Sequence, residues 1–258
     1  MPRIHATALV DPGAELAADV EVGAFSIVGP HVRVGPGTVI GPHVVLTGRT
    51  TLGARNRIFQ FASVGEIPQD RKYDGEPTTT VIGDDNVIRE YVSIHAGTAL
   101  DRGETTIGNR NLLLAHVHIA HDCVVGDNTT FSNNSTLAGH VKIDDWVAFG
   151  GFAAVHQFVR IGAHAFIGGG SILVQDVPPF VTVSGYPAVP YGTNNEGLRR
   201  RGFSDDDIAA VRRAYKTLYR EGLSLEDAKT ALATAAAASP VLKPLVDFLA
   251  TPGRGIVR

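Results

Sequence analysis

Aliphatic residues recur at every sixth position along most of the chain. Ile4, Val10, Leu16, Val22, Val28, Val34, Ile40, Leu46, Leu52, Ile58 and Val64 follow one another without a break. In a chain that is 44% hydrophobic, a run of that length arises by chance roughly once in ten thousand trials. The series resumes at Ile82, Ile88, Ile94 and Leu100, slips by one residue, and continues from Ile107 through Leu113, Ile119, Val125, Phe131, Leu137, Ile143, Phe149, Val155, Ile161 and Ile167 to Leu173. Glycine often follows the aliphatic residue (Gly23, Gly35, Gly126, Gly162), and a small or β-branched residue lies four positions after it (Ser26, Thr38, Ser135, Ala153). A period of six suits neither an amphipathic helix nor long alternating strands. It predicts short strands, each ending in a turn with one aliphatic side chain pointing inward, which is the pattern of a parallel β-helix.

The pattern resembles the left-handed parallel β-helix of hexapeptide acyltransferases, in which three hexads close a triangular coil of 18 residues. The left-handed sense is implied by that resemblance, since ordinary crossovers favour the opposite hand. The rungs correspond to about nine coils and a prism roughly 43 Å tall. Two interruptions are read as loops. Residues 65–80 place Asp70 and Glu76 on rung positions, where charge is costly to bury, and the step from Leu100 to Ile107 runs through DRGETT. Beyond residue 195 the chain turns helical. Ser204 with Asp207, and Ser224 with Asp227, resemble capping boxes and start helices over 205–220 and 225–238, with a third over 241–250. The expected division is a β-helix over 1–190 and a small α-helical C-terminal domain over 191–258.

Composition narrows the function. A net charge of −3 argues against a nucleic-acid binder working through a general basic surface. A single cysteine, Cys123, excludes an internal disulfide framework and fits a reducing compartment. It follows Asp122 at the small inward position of its hexad, which suits a buried filler rather than a nucleophile. No apolar run approaches the length of a membrane span, and a cytoplasmic location is expected.

Seven of the ten histidines lie between residues 95 and 164, three of them in HVHIAHDC (His116, His118, His121). An 18-residue coil stacks His121 under Gly139 and Gln157, and Asp122 under His140; Ala120 lies under Ala138 and His156. These residues are therefore predicted to form one patch across three coils. A lone histidine on a solenoid face is ordinarily a hydrogen-bonded surface residue; a stacked group suits general-base acyl transfer. His121 would accept a hydroxyl proton, an acidic neighbour would hold its tautomer, and the Gly139 N–H would face a developing oxyanion. Three histidines spaced H-x-H-x-x-H on a strand and turn do not converge as on a helix face, so no metal is expected. The run Arg199, Arg200, Arg201 is either a solvated face or a phosphate clamp.

The segments GEIPQDRKYDGEPT, IREYVSIHAGT, HIAHDCVVGD, STLAGHVKIDD, AVHQF, QDVPPFV and EGLRRRGFS, in that order and spacing, resemble the acyl-ACP–UDP-N-acetylglucosamine O-acyltransferase family across essentially the whole chain. The resemblance implies the first step of lipid A biosynthesis. An (R)-3-hydroxyacyl chain passes from acyl carrier protein to the glucosamine 3-hydroxyl of UDP-N-acetylglucosamine, in a homotrimer with sites between neighbouring prisms and with no cofactor. It implies His121 as base, oriented by Asp122, with Gly139 as oxyanion donor. It places His95, His118, His140, His156 and Gln157 along the substrate paths and Asp70 and Lys72 at the sugar. Asn194, Glu196, Arg200 and Arg201 fall at the nucleotide, and Gly169 at the acyl-chain ruler. Ala96, His116, Tyr186 and Thr79 depart from the residues common in the family, and His116 and Tyr186 bear on acceptor or donor preference, including a 3-amino variant of the sugar. The alternatives are another hexapeptide-repeat acyltransferase, either the N-acyltransferase of the same pathway or an acetyl-CoA enzyme, and a non-catalytic solenoid scaffold.

Overall fold

The computed structural model describes residues 1–251 and 253–258. Short strands, mostly two residues long, wind into a left-handed parallel β-helix of three faces. The first face runs from Arg3–Ile4 to Val181–Gly185, the second from Leu9–Val10 to Ile172–Leu173, and the third from Glu15–Leu16 to Arg160–Ile161. Regular partners are 18 residues apart, as in Thr130 against Ala148. The step grows to 30 between Arg57 and Val87, and to 25 between Val87 and Leu112. The two excursions therefore insert 12 (30 − 18) and 7 (25 − 18) residues while the stacking continues unchanged above them.

The periodic aliphatic side chains form the core, with Leu46, Ile94, Leu113, Ile119 and Leu137 wholly buried. One rung fails. Leu100 is 66% exposed, because the second excursion occupies the turns before Glu104–Ile107, and six-residue counting cannot see that the chain has left the coil. Two further rungs extend the series past Leu173. Val177 bridges to Ile161, and Val183 pairs with Ile167, both fully buried. Their step is 16 rather than 18, which hid them from a fixed period.

Tight coils demand left-handed backbone at the corners, and most of these positions are not glycine. Asp122, His140 and Phe158 have φ of 59°, 65° and 66°, a conformation that costs free energy in any residue with a Cβ. Inside the edge joining the third and first faces, Asn56, Asn86 and Asn111 form a buried ladder. Asn86 Nδ2 donates to Asn56 Oδ1 (3.0 Å) and to Gly108 O (3.0 Å), while its Oδ1 accepts from Asn111 N (2.9 Å). The ladder thereby pairs the Gly108 carbonyl and the Asn111 N–H at this edge, which the short strands do not reach.

The last strand, Ala188–Thr193, returns antiparallel to Val181–Gly185, and the helices follow: α1 (Asn195–Arg200), α2 (Asp205–Tyr219), α3 (Leu225–Ala238) and α4 (Lys243–Ala250). The short α1 was not anticipated from sequence. Ser204 and Ser224 cap α2 and α3, each accepting from the third-residue N–H at 3.1 Å and donating to that Asp carboxylate at 2.7 Å. The shorter Asp thus bonds the capping hydroxyl, where the usual Glu of a capping box reaches the backbone. Leu198, Val211, Leu218, Leu232 and Leu245 make a second core. The C-terminal segment ties the helices to the prism through Val257 N–H to Asp176 O at 2.9 Å, and Asp176 is itself held by Arg160 Nε at 2.9 Å.

Candidate active site

Both excursions and the His121 turn leave the prism at one edge, where the second face passes into the third. The strands Ser63–Glu66 and Thr79–Ile82, then Ser93–His95 and Glu104–Ile107, then His118–Ile119 and Val124–Val125, flank successive connections there. The residues predicted from the 18-residue step meet as expected at the core of the patch. His140 N–H donates to His121 O at 3.0 Å. A methyl group built on Gly139 would stand 2.5 Å from His121 Cε1 and 2.6 Å from Nε2, so the imidazole lies directly against the glycine. The Gly139 N–H has no acceptor among the described residues.

His121 Nδ1 donates to Asp122 Oδ2 at 2.9 Å, which leaves Nε2 as the proton acceptor. Asp122 is buried and bound on both oxygens, with Thr98 N–H to Oδ1 at 2.9 Å and the Thr98 hydroxyl to Oδ2 at 2.6 Å. Its own N–H donates to Thr105 Oγ1 at 2.8 Å. Burial works against the Asp122 charge, but the hydrogen bonds from His121 and Thr98 and the nearby His140 outweigh it and hold the carboxyl below its ordinary pKa. His140 meets His121 edge-on, ring centroids 4.9 Å apart, and stacks on Phe158 at 4.3 Å. Its Nδ1 donates to Asp101 Oδ2 at 2.7 Å.

Two more imidazoles continue the row along the second face. His118 Nδ1 pairs with Ser93 Oγ at 2.8 Å, and the His118 ring lies 5.3 Å from that of His95. Burial, with His95 and His121 nearby, lowers the His118 pKa to about 4, so it is neutral at pH 7. His95 Nδ1 donates to Ile67 O at 2.7 Å and so fixes the start of the first excursion. Cys123 is buried, its thiol turned to Ala138 O at 3.2 Å, and desolvation raises its pKa to about 12, which leaves it no nucleophilic role.

The other predicted residues lie apart. Asp70 and Lys72 sit on the first excursion, where Lys72 N–H closes a local turn onto Asp70 Oδ1 at 3.0 Å. His156 and Gln157 occupy the next coil up and are exposed; Phe158, not they, covers His140. Gly169 belongs to a turn between the first and second faces, its Cβ position 3.4 Å from Gly151 O. Asn194, Glu196, Arg200 and Arg201 gather at another edge, between the third and first faces, beside a cavity of about 660 Å³ that reaches Thr130, Ala148 and Phe166. There Asn194 Oδ1 caps α1 through Gly197 N–H at 3.1 Å, and its Nδ2 donates to His164 O at 2.9 Å. Glu196 pairs with Arg200 at 3.0 Å. Arg201 donates to His164 Nδ1 at 3.1 Å and lies over the Trp146 ring at 5.2 Å. Burial and that guanidinium lower the His164 pKa to about 4.

Thr98, Asp101, Thr105 and Phe158 are contacts that sequence reasoning missed. Phe158 was within reach of the 18-residue step from His140. The excursion shifts the count for Thr98 and Asp101, so no stacking arithmetic places them. His121, Asp122 and His140 also bring possible metal-ligand atoms within 4.8 Å of one another, although the Nδ1 atoms of both histidines are already engaged with carboxylates. Among the described residues no helix is long and apolar enough to cross a membrane.

The family described as Udp N-acetylglucosamine O-acyltransferase, Domain 2, matches residues 176–257, and bacterial transferase hexapeptide repeats match 13–48 and 104–139. The chain is similar to a protein of Thiobacillus denitrificans named acyl-[acyl-carrier-protein]–UDP-N-acetylglucosamine O-acyltransferase, 57% identical over 100% of both chains. A protein of the same name from Herminiimonas arsenicoxydans is 56% identical over 100% of both. Among solved structures, UDP-N-acetylglucosamine O-acyltransferase of Moraxella catarrhalis superposes with a TM-score of 0.97 at 45% identity, and LpxA of Acinetobacter baumannii with 0.96 at 47%, each over 99% of both chains.

Proposed function

Because this chain belongs to the acyl-[acyl-carrier-protein]–UDP-N-acetylglucosamine O-acyltransferase family, we propose that it transfers an (R)-3-hydroxyacyl chain from acyl carrier protein to the 3-hydroxyl of UDP-N-acetylglucosamine, in lipid A biosynthesis. His121 Nε2 takes the proton of the sugar hydroxyl as its oxygen attacks the thioester carbonyl. The tetrahedral oxyanion is received by the Gly139 N–H. Collapse breaks the carbon–sulfur bond, and His121 returns the proton to the leaving thiolate. Asp122 stays ionised throughout, fixing the tautomer and stabilising the imidazolium. The observation that carries this reading is the His121–Asp122 couple lying against Gly139, whose N–H makes no hydrogen bond among the described residues.

His95, His118, His140, His156 and Gln157 line the substrate path, Asp70 and Lys72 contact the sugar, and Gly169 lies at the acyl end. Asn194, Glu196, Arg200 and Arg201 hold the nucleotide. That last group sits at a different edge of the prism from His121, which supports a homotrimer in which one copy's imidazole edge faces a neighbour's first face. The division into a β-helix over 1–190 and a helical domain over 191–258, and a cytoplasmic location, complete the reading. The test is His121→Ala, assayed for acylated UDP-N-acetylglucosamine formed from 3-hydroxyacyl carrier protein. Loss of a base of this kind lowers kcat by about 10³-fold, and a variant within tenfold of the parent would show that the base lies elsewhere.

A further inference from the structure

We propose that Asp101, on the second excursion, is a positioning residue for acceptor binding: its carboxylate holds the His140 imidazole in one orientation with the proton on Nδ1. The inference rests on the reading above that His140 contacts bound substrate.

The contact joins residues 39 apart in sequence at 2.7 Å, so it depends on the seven inserted residues that let the chain reach up two coils, past the His121 turn. The loop is built to hold it. Asp101 N–H and Gly103 N–H both donate to Thr98 O, at 3.2 and 2.9 Å, and Thr98 is in turn locked to both oxygens of Asp122. Asp101 is therefore tied to the same carboxylate that orients His121. Asp122 Oδ2 is 3.8 Å from His140 Nδ1, too far for a hydrogen bond, which leaves Asp101 as the partner. The remaining sides of the His140 ring are set by Phe158 on its face and His121 against it. A carboxylate accepts only, so Nδ1 carries the proton and Nε2 is the ring atom left for a ligand. The row thus contains two histidine–carboxylate couples side by side, one placing the base and the other placing its neighbour.

The experiment measures kcat and KM for UDP-N-acetylglucosamine in D101A, D101N, H140A and the D101A/H140A double variant of the full chain, with thermal melts to verify folding. D101A is expected to raise KM about tenfold with kcat within threefold, because a hydrogen bond to a charged, half-exposed partner is lost. D101N, whose Oδ1 still accepts from Nδ1, is expected to stay within threefold of the parent. In the H140A background D101A is expected to add nothing. An unchanged KM in D101A beside an impaired H140A overturns the proposal alone. So does a D101N variant as impaired as D101A, or an undiminished D101A effect without His140. An H140A variant indistinguishable from the parent instead removes the reading of His140 on which the proposal rests.

Discussion

Replacing Gly139 with alanine asks whether the imidazole's position, rather than its mere presence, governs activity. The added methyl would lie 2.5 Å from His121 Cε1, 2.6 Å from Nε2 and 3.1 Å from Nδ1. Carbon contacts settle at about 3.5–4.0 Å, so the ring must retreat by roughly 1 Å. The obstacle is a side chain that can rotate, so the strain falls on the site and not on the coil. Stability is expected to change by no more than about 1 kcal/mol. Retreat stretches the 2.9 Å bond to Asp122 and carries Nε2 off line with the hydroxyl that it deprotonates in the proposed mechanism. A displacement of this size costs about 10²-fold in rate. The assay is kcat/KM for formation of acylated UDP-N-acetylglucosamine, with Gly29→Ala as the control, since its nearest contacts are an ordinary 3.5 Å. A folded Gly139→Ala enzyme within threefold of the parent would refute the argument that these two groups act together.

The interior asparagine ladder makes a separate prediction about stability. Asn86→Ala strands the Asn111 N–H and Gly108 carbonyl, and two buried groups without partners are expected to cost about 2–5 kcal/mol, read as a lower urea midpoint. Stability should also fall as pH drops from 6.5 toward 4. His118 and His164 have folded pKa values of about 4, so in that window the unfolded chain binds more protons and acid favours unfolding. Each contributes up to about 2 kcal/mol after solvent screening, and His118→Gln should flatten the slope of stability against pH measured by chemical denaturation.

The prism was legible because its physics repeats: one buried aliphatic residue per short strand makes a period that survives from Val22 to Leu173. The stacking of His121 on Gly139 followed from the same period, since the coils between them contain no insertion. What failed, failed where the period stops. Leu100 imitates a rung because an apolar residue happens to fall on the sixth position within an excursion. Val177 and Val183 were lost when the last coil shortened, and α1 is too brief to show a helical repeat. Thr98 and Asp101 reach the site only because the excursion folds back along the edge, and a tertiary path of that kind leaves no trace in spacing. Asn194, Glu196, Arg200 and Arg201 came from resemblance alone, and they lie on a different edge from His121.

That all the long connections emerge at one edge has a consequence for how such a protein can be changed. The strands beneath them keep their partners whether the intervening link is two residues or twelve, so a link can be lengthened, shortened or exchanged while the triangular winding stays in register. Selectivity is thereby modular: grafting a different excursion at residues 67–78 or 96–103 alters what the imidazole row meets without disturbing the scaffold that aligns it.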